Sequence, residues 1–142
     1  MRKFLPVLGL LILILSCKSR QVQPDVFPDR QLIFGSGGGI TGAVTTYALL
    51  EDGYLYVQKS RTDSFELVKK VGKSQARTLI QKAETLGIPG MELNVPGNMY
   101  YFVRYKSPDQ QGNVVWGDFA TKVKPEIQAF YTELTTLTQI TE

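Results

Sequence analysis

The sequence predicts an α+β fold: an antiparallel sheet of about five strands, in the order β-β-β-α-β-β-α, with both helices packed on one face. Short strand-like runs are joined by tight polar or glycine-containing turns, as in hairpins. Apolar residues fall at helical spacing in two places, Ser74 to Leu86 and Pro125 to Leu137. A length of 142 residues then bounds the domain count: residues 31–142 suffice for one core and make a single α+β domain.

Ahead of that domain stands a targeting segment. Arg2 and Lys3 precede an almost wholly apolar run from Phe4 to Leu15, broken only by Pro6 and Gly9. At about 12 residues the run is shorter than the roughly 20 a membrane-crossing helix needs, so residues 1–16 read as a signal peptide. Ile14-Leu15-Ser16-Cys17 follows: aliphatic, apolar, small, then the chain's single cysteine. These four residues resemble the lipobox of bacterial lipoproteins, with Ile14, Ser16 and Cys17 at matching positions and Leu15 bulkier than the residue often found there. The resemblance implies a diacylglycerol on the Cys17 thiol, cleavage just before it, and a further acyl chain such as palmitate on the new amino group. An ordinary secretory signal, or a short membrane helix with a spare cysteine, is the alternative. Each buried methylene contributes about 0.8 kcal/mol, so two or three chains make detachment slow.

Lys18 to Arg30 is polar, carries Pro24 and Pro28, and has neither strand nor helix period. With the lipidated cysteine it reads as a flexible linker over 17–30, reaching at most about 45 Å when extended. Lys18 directly after the cysteine, by resemblance to sorting rules in bacterial envelopes, points to the outer membrane and its periplasmic side. Beyond the linker, Gln31 to Phe34 is a short apolar strand that stands somewhat apart. Ala43 to Leu50 is rich in Val, Thr and Tyr, and Asp52-Gly53 turns it back into Tyr54 to Lys59. Phe65 to Val71 completes a meander. Ser74 is placed to cap a helix whose apolar face is Ala76, Leu79, Ile80, Ala83 and Leu86, with Gly87 ending it.

Gly87 to Asn98, with two prolines and three glycines, reads as an irregular connection. Met99 to Lys106 is the most strand-like run, with Met99, Tyr101, Val103 and Tyr105 on one face and Tyr100, Phe102 and Arg104 on the other. Ser107 to Gly112 turns it into Asn113 to Gly117. Pro125 then opens a closing helix with Ile127, Phe130, Tyr131, Leu134 and Leu137 as its stripe.

Composition limits the chemistry. There is no histidine, so Ser-His and Cys-His nucleophile pairs and histidine-ligated zinc are excluded. A single cysteine excludes an intrachain disulfide and a thiolate metal cluster. The net charge of +3 loses Arg2 and Lys3 with the signal, leaving a domain near neutrality. Lys69, Lys70 and Lys73 sit with Glu66 and read as a solvated strand end, which argues against a nucleic-acid partner. Asp109-Gln110-Gln111-Gly112-Asn113 lacks the repeated acidic oxygens of a calcium loop, so no metal and no cofactor is expected.

Gly37, Gly39 and Gly42 spell G-x-G-x-x-G after a strand, but the following segment is β-rich and does not open a helix toward a pyrophosphate, so no nucleotide is expected. Gly72-Lys73-Ser74 copies only the tail of a phosphate loop. The glycine stretch reads as a bulged crossing between strands, or else as a loop offering its backbone to a partner. Candidate partner-binding residues are Gly37, Gly38, Gly39 and Thr41 there, together with Asn98, Tyr100 and Asp118, placed to share one edge of the sheet, and Trp116, which reads as a core or sheet-face anchor.

The domain resembles small lipoproteins of bacterial envelopes. Gly38-Gly39-Ile40-Thr41-Gly42 followed by Ser74 to Leu86 is also similar, over about a third of the domain, to the Gly-Gly-x-x-Gly and helix of emfourin-like protease inhibitors. That resemblance implies that the glycine stretch and neighbouring hairpin form an inhibitory surface. The functional expectation is a lipid-anchored, non-enzymatic binding module of the cell envelope, partnered by the membrane through Cys17 and by an envelope protein. A structural lipoprotein without a ligand, and a hydrolase using Asp118 with Glu92, are the alternatives.

Overall fold

The computed structural model describes residues 21–60 and 63–139, so the signal segment, Cys17 and its lipid lie outside the described residues. A 3-10 turn at Pro24–Val26 precedes β1 (Gln31–Gly38), β2 (Val44–Leu50), β3 (Tyr54–Gln58), β4 (Glu66–Lys70), α1 (Lys73–Thr85), β5 (Glu92–Val95), β6 (Met99–Lys106), β7 (Gln111–Trp116) and α2 (Pro125–Thr136). The strands form one sheet in the order β4-β3-β2-β1-β6-β7-β5. Every pairing is antiparallel except that of β5 with β7.

The fold is α+β as expected, with seven strands where about five were expected. β1 is no short, separate strand: it runs on through Gly35-Ser36-Gly37-Gly38 and occupies the centre, paired with β2 on one side and β6 on the other. The glycines therefore belong to a regular strand up to Gly38, and the connection is confined to residues 39–43. β5 lies inside the stretch read as irregular. Only four residues long and held by a parallel partner 21 residues further along the chain, it carries no hairpin signal of its own.

The alternation of each strand sends Leu32, Phe34, Leu49, Leu55, Val103, Tyr105, Val114 and Trp116 toward the helices. There they meet Ala76, Leu79, Ile80 and Ala83 of α1 and Ile127, Phe130 and Leu134 of α2, all buried. Ser74 does not cap α1. Gly72 holds that position at φ 98°, a conformation that favours glycine, and it passes so close to Gly53 that a Cβ there would stand 2.5 Å from the Gly72 carbonyl carbon.

The opposite face corrects the linker. Over its described part, residues 21–30 pack onto the sheet: Phe27 is buried against Ala48, Leu50 and Tyr56, with Val22, Ile33, Tyr54 and Phe65 around them. The fully buried Gln31 side chain donates from Nε2 to the Pro24 carbonyl at 3.1 Å. Three apolar residues in a polar stretch, Val22, Val26 and Phe27, have no period to announce them, and a single aromatic seated over an apolar face is enough to dock the strap. Its end is clamped by ion pairs. Arg30 reaches Glu51 with Nε at 3.1 Å and Nη2 at 2.7 Å, and Glu84 of α1 with Nη1 at 3.0 Å. Arg77 adds a contact to Glu51 at 3.3 Å, and the Tyr105 hydroxyl donates to Glu84 at 2.7 Å.

Candidate functional site

The end of the sheet where β1 stops collects the eight residues nominated from the sequence. Gly37 faces Val44 and Tyr100 across the ladder, and Gly38 faces Met99. Gly38 donates to the Ala43 carbonyl at 3.2 Å, and Gly39 to the Asn98 carbonyl at 2.8 Å. A Cβ on Gly38, at φ 101°, would lie 2.0 Å from that same Asn98 oxygen, so the approach excludes any side chain. Thr41 closes the turn by accepting from the Ala43 amide at 3.3 Å.

Two further connections are sewn to the same end. A Cβ on Gly97 would stand 2.4 Å from the Gly117 oxygen, and the Asp118 amide donates to the Val95 carbonyl at 3.1 Å. Residues 39–43, 96–98 and 117–124 thus form three adjoining loops held by backbone contacts. Asn98 and Asp118 are both exposed there, and Thr121 donates its hydroxyl to Asp118 at 3.4 Å.

The eight nominated residues gather at this end, but they do not share a face. Trp116 points to the helices, where its ring meets Tyr101 at 5.9 Å and Tyr131 of α2 at 5.3 Å, edge-on. Tyr101 and Tyr131 close the triangle at 5.6 Å. Burial pushes the Tyr131 hydroxyl above the usual tyrosine range, partly offset by a hydrogen bond with Ser36. Tyr100 lies on the opposite face, its ring spread over Gly37, where a Cβ would come within 2.6 Å of the hydroxyl. The register of β6 on β7 pairs Trp116 with Tyr101, which puts Trp116 in the core and in alternate phase with Tyr100, so the two rings do not form one patch.

The site also holds residues that the sequence reading passed over. Ile40 and Phe119 are 107% and 101% exposed, as bare as side chains in an extended peptide. Met99 and Tyr101 are 48% and 38% exposed beside them. Of the six exposed large apolar side chains among the described residues, the other two being Val26 and Leu67, these four lie at or next to one end. Scattered exposed apolar residues are ordinary; here Ile40 and Phe119 stand in the loops, and Met99 and Tyr101 at the adjoining start of β6. The available signal was an isolated apolar residue within a polar loop: Ile40 among Gly39, Thr41 and Gly42, and Phe119 between Asp118 and the Ala120-Thr121-Lys122 run.

Glu92 and Asp118 stand at opposite ends of β5, since Glu92 pairs with Asn113 while Asp118 bonds to Val95. Three strand residues separate them by about 10 Å. Among the described residues, no group of three His, Cys, Asp or Glu side chains is placed to hold a metal, and no helix is long and apolar enough to cross a membrane. Compared with known proteins, the chain matches no family model and no curated sequence.

Proposed function

We propose that this chain is a lipid-anchored binding module of a bacterial cell envelope, non-enzymatic, gripping a protein partner with its three-loop end. The observation that carries the reading is the full exposure of Ile40 and Phe119 at the tips of loops whose bases are stitched together. An apolar tip on a rigid base loses little conformational freedom on binding, which is what an insertion into a partner's cleft requires. A protease is the partner class that this shape serves best, and it agrees with the emfourin-like Gly38-Gly39-Ile40-Thr41-Gly42. The anchor rests on the lipobox at Cys17, and Lys18 favours the outer membrane on its periplasmic side. Because Val22 is already docked on the sheet, the chain from Cys17 to Val22 spans at most about 18 Å, which holds the domain near the membrane surface.

Photo-crosslinking in whole envelopes tests the grip. A benzophenone amino acid at position 40 or 119 should capture the same single protein, one at the exposed Gln128 of α2 should not, and Ile40→Asp should abolish capture while the melting temperature stays within a degree or two. Equal capture from all three positions sinks the reading. For the anchor, Cys17→Ala should stop incorporation of labelled fatty acid, and continued labelling refutes lipidation there.

A further inference from the structure

On the sheet face away from the helices, the strap packs over β2 and β3, while β6, β7 and β5 border an open cavity of about 480 Å³. Ile33, Glu92, Arg104, Lys106, Gln111 and Asn113 line it. Arg104 is exposed, yet it is held from two sides. Its Nε donates to Asn113 Oδ1 at 3.0 Å, and its guanidinium carbon sits 4.6 Å from the centroid of the Phe102 ring. Phe102 is itself immobilised: it is 1% exposed, and its ring lies so close over Gly35 that a Cβ there would be 2.9 Å away.

The fork of Arg104 has no partner among the described residues. Among the described residues, the ion pairs are those of Arg30 and Arg77 with Glu51, Arg30 with Glu84, and Lys82 with Glu133, so no carboxylate takes the two Nη groups of Arg104. The contrast with Arg30 is instructive, since that guanidinium satisfies all three of its nitrogens on Glu51 and Glu84. An arginine stacked on an aromatic ring and fixed through Nε presents two parallel donors at little entropic cost, the geometry that grips a carboxylate with two hydrogen bonds.

We infer that Arg104 anchors a second binding site, one for the C-terminal carboxylate of a peptide ending in an apolar residue. The carboxylate docks on the Arg104 fork, the terminal side chain lies on Ile33, and the side-chain amides of Gln111 and Asn113 face the last peptide group. Arg104 and Lys106 stand in the cavity with Glu92, and Asp25 lines the adjoining pocket on Arg104 and Ile33, so the charges around the fork balance. It is the paired donors beside apolar Ile33, not net charge, that favour an organic carboxylate over inorganic phosphate. The site is independent of the three-loop end and stands whether or not that end binds a protein.

Fluorescence polarisation of the full chain in detergent tests this, with fluorescein-Gly-Ala-Leu as the free acid and as its C-terminal amide. The acid should bind saturably, and the amide at least about tenfold more weakly. Arg104→Lys, which keeps the charge and loses the fork, should weaken the acid at least about tenfold as well. Excess inorganic phosphate should not displace it, and the Ile40→Asp and Phe119→Asp chains should bind it as the parent does. No saturable binding of the acid, equal binding of acid and amide, equal binding by Arg104→Lys, or displacement by phosphate overturns the assignment. The acid-against-amide comparison uses the unaltered chain, so it decides the matter even if an Arg104 variant fails to fold.

Discussion

Gly35 and Gly37 lack side chains because an aromatic ring already occupies the space above each. Phe102 reaches across the ladder over Gly35 and Tyr100 over Gly37, and the strand between them and β2 can pair closely only if both positions are bare. Gly35→Ala would set its methyl 2.0 Å from the Thr45 carbonyl oxygen and against the Phe102 ring, in the middle of the sheet where nothing can give. It should cost about 3 kcal/mol, at the upper end of overpacking, measured by denaturant unfolding. Gly42→Ala provides the control: its φ of 62° is strained for alanine, but no atom lies within 4 Å, so the cost should be about 1–2 kcal/mol. A cost at Gly35 no greater than at Gly42 would mean that the ring contact is not what the glycine serves. The same ring, held over Gly35, is the platform on which Arg104 is stacked, so this packing reaches the cavity chemistry as well.

At the scale of elements, the strap changes how the N-terminal segment should behave. Phe27→Ala removes the buried ring that holds residues 22–27 on β2 and β3, and should cost about 3 kcal/mol while raising binding of an apolar dye, because Leu50 and Tyr56 become wetted. An unchanged melting curve would return this segment to the status of a linker. The clamp beside it makes the fold acid-sensitive. The hydrogen bond from Arg30 holds the Glu51 carboxyl below its ordinary value of 4.5, against the opposing effect of burial. A depressed carboxylate stabilises the fold fully above its unfolded pKa and progressively loses that contribution as pH falls through the folded one. The melting temperature should therefore fall once the pH drops below 4.5. Glu51→Gln should lower stability by about 1–3 kcal/mol at neutral pH and flatten that acid limb. An acid limb as steep in the variant as in the parent would assign the sensitivity elsewhere.

For the molecule as a whole, the central position of β1 joins halves that the sequence keeps apart. Residues 31–38 pair with 44–50 on one side and 99–106 on the other, so neither half of the sheet is complete without the same strand. Unfolding should be a single cooperative event: Trp116 fluorescence, reporting the half that holds β7, and far-ultraviolet circular dichroism should share one midpoint. Two separate midpoints would divide the sheet at β1. The same arrangement keeps the two proposed sites apart on the surface. The helices close one face and the strap closes much of the other, while the three-loop end and the cavity beneath Arg104 stay open.

The sequence by itself determined what depends on local chemistry. Period-two runs and the Asp52-Gly53 turn marked the hairpins, helical spacing marked α1 and α2, and the absence of histidine removed whole classes of catalysis. Tyr100, Phe102 and Arg104 were already on one face, because strand alternation requires it. Contacts distant in the chain were decided only by the tertiary structure. β5 exists because β7 offers it a parallel edge, residues 21–30 are a strap because Phe27 finds an apolar face, and Trp116 turns away from Tyr100 because the register of β6 on β7 puts them in opposite phase. The exposure of Ile40 and Phe119, and a fork on Arg104 that no described carboxylate takes, have the same origin: burial and pairing belong to the surroundings of a side chain, which no window of sequence contains.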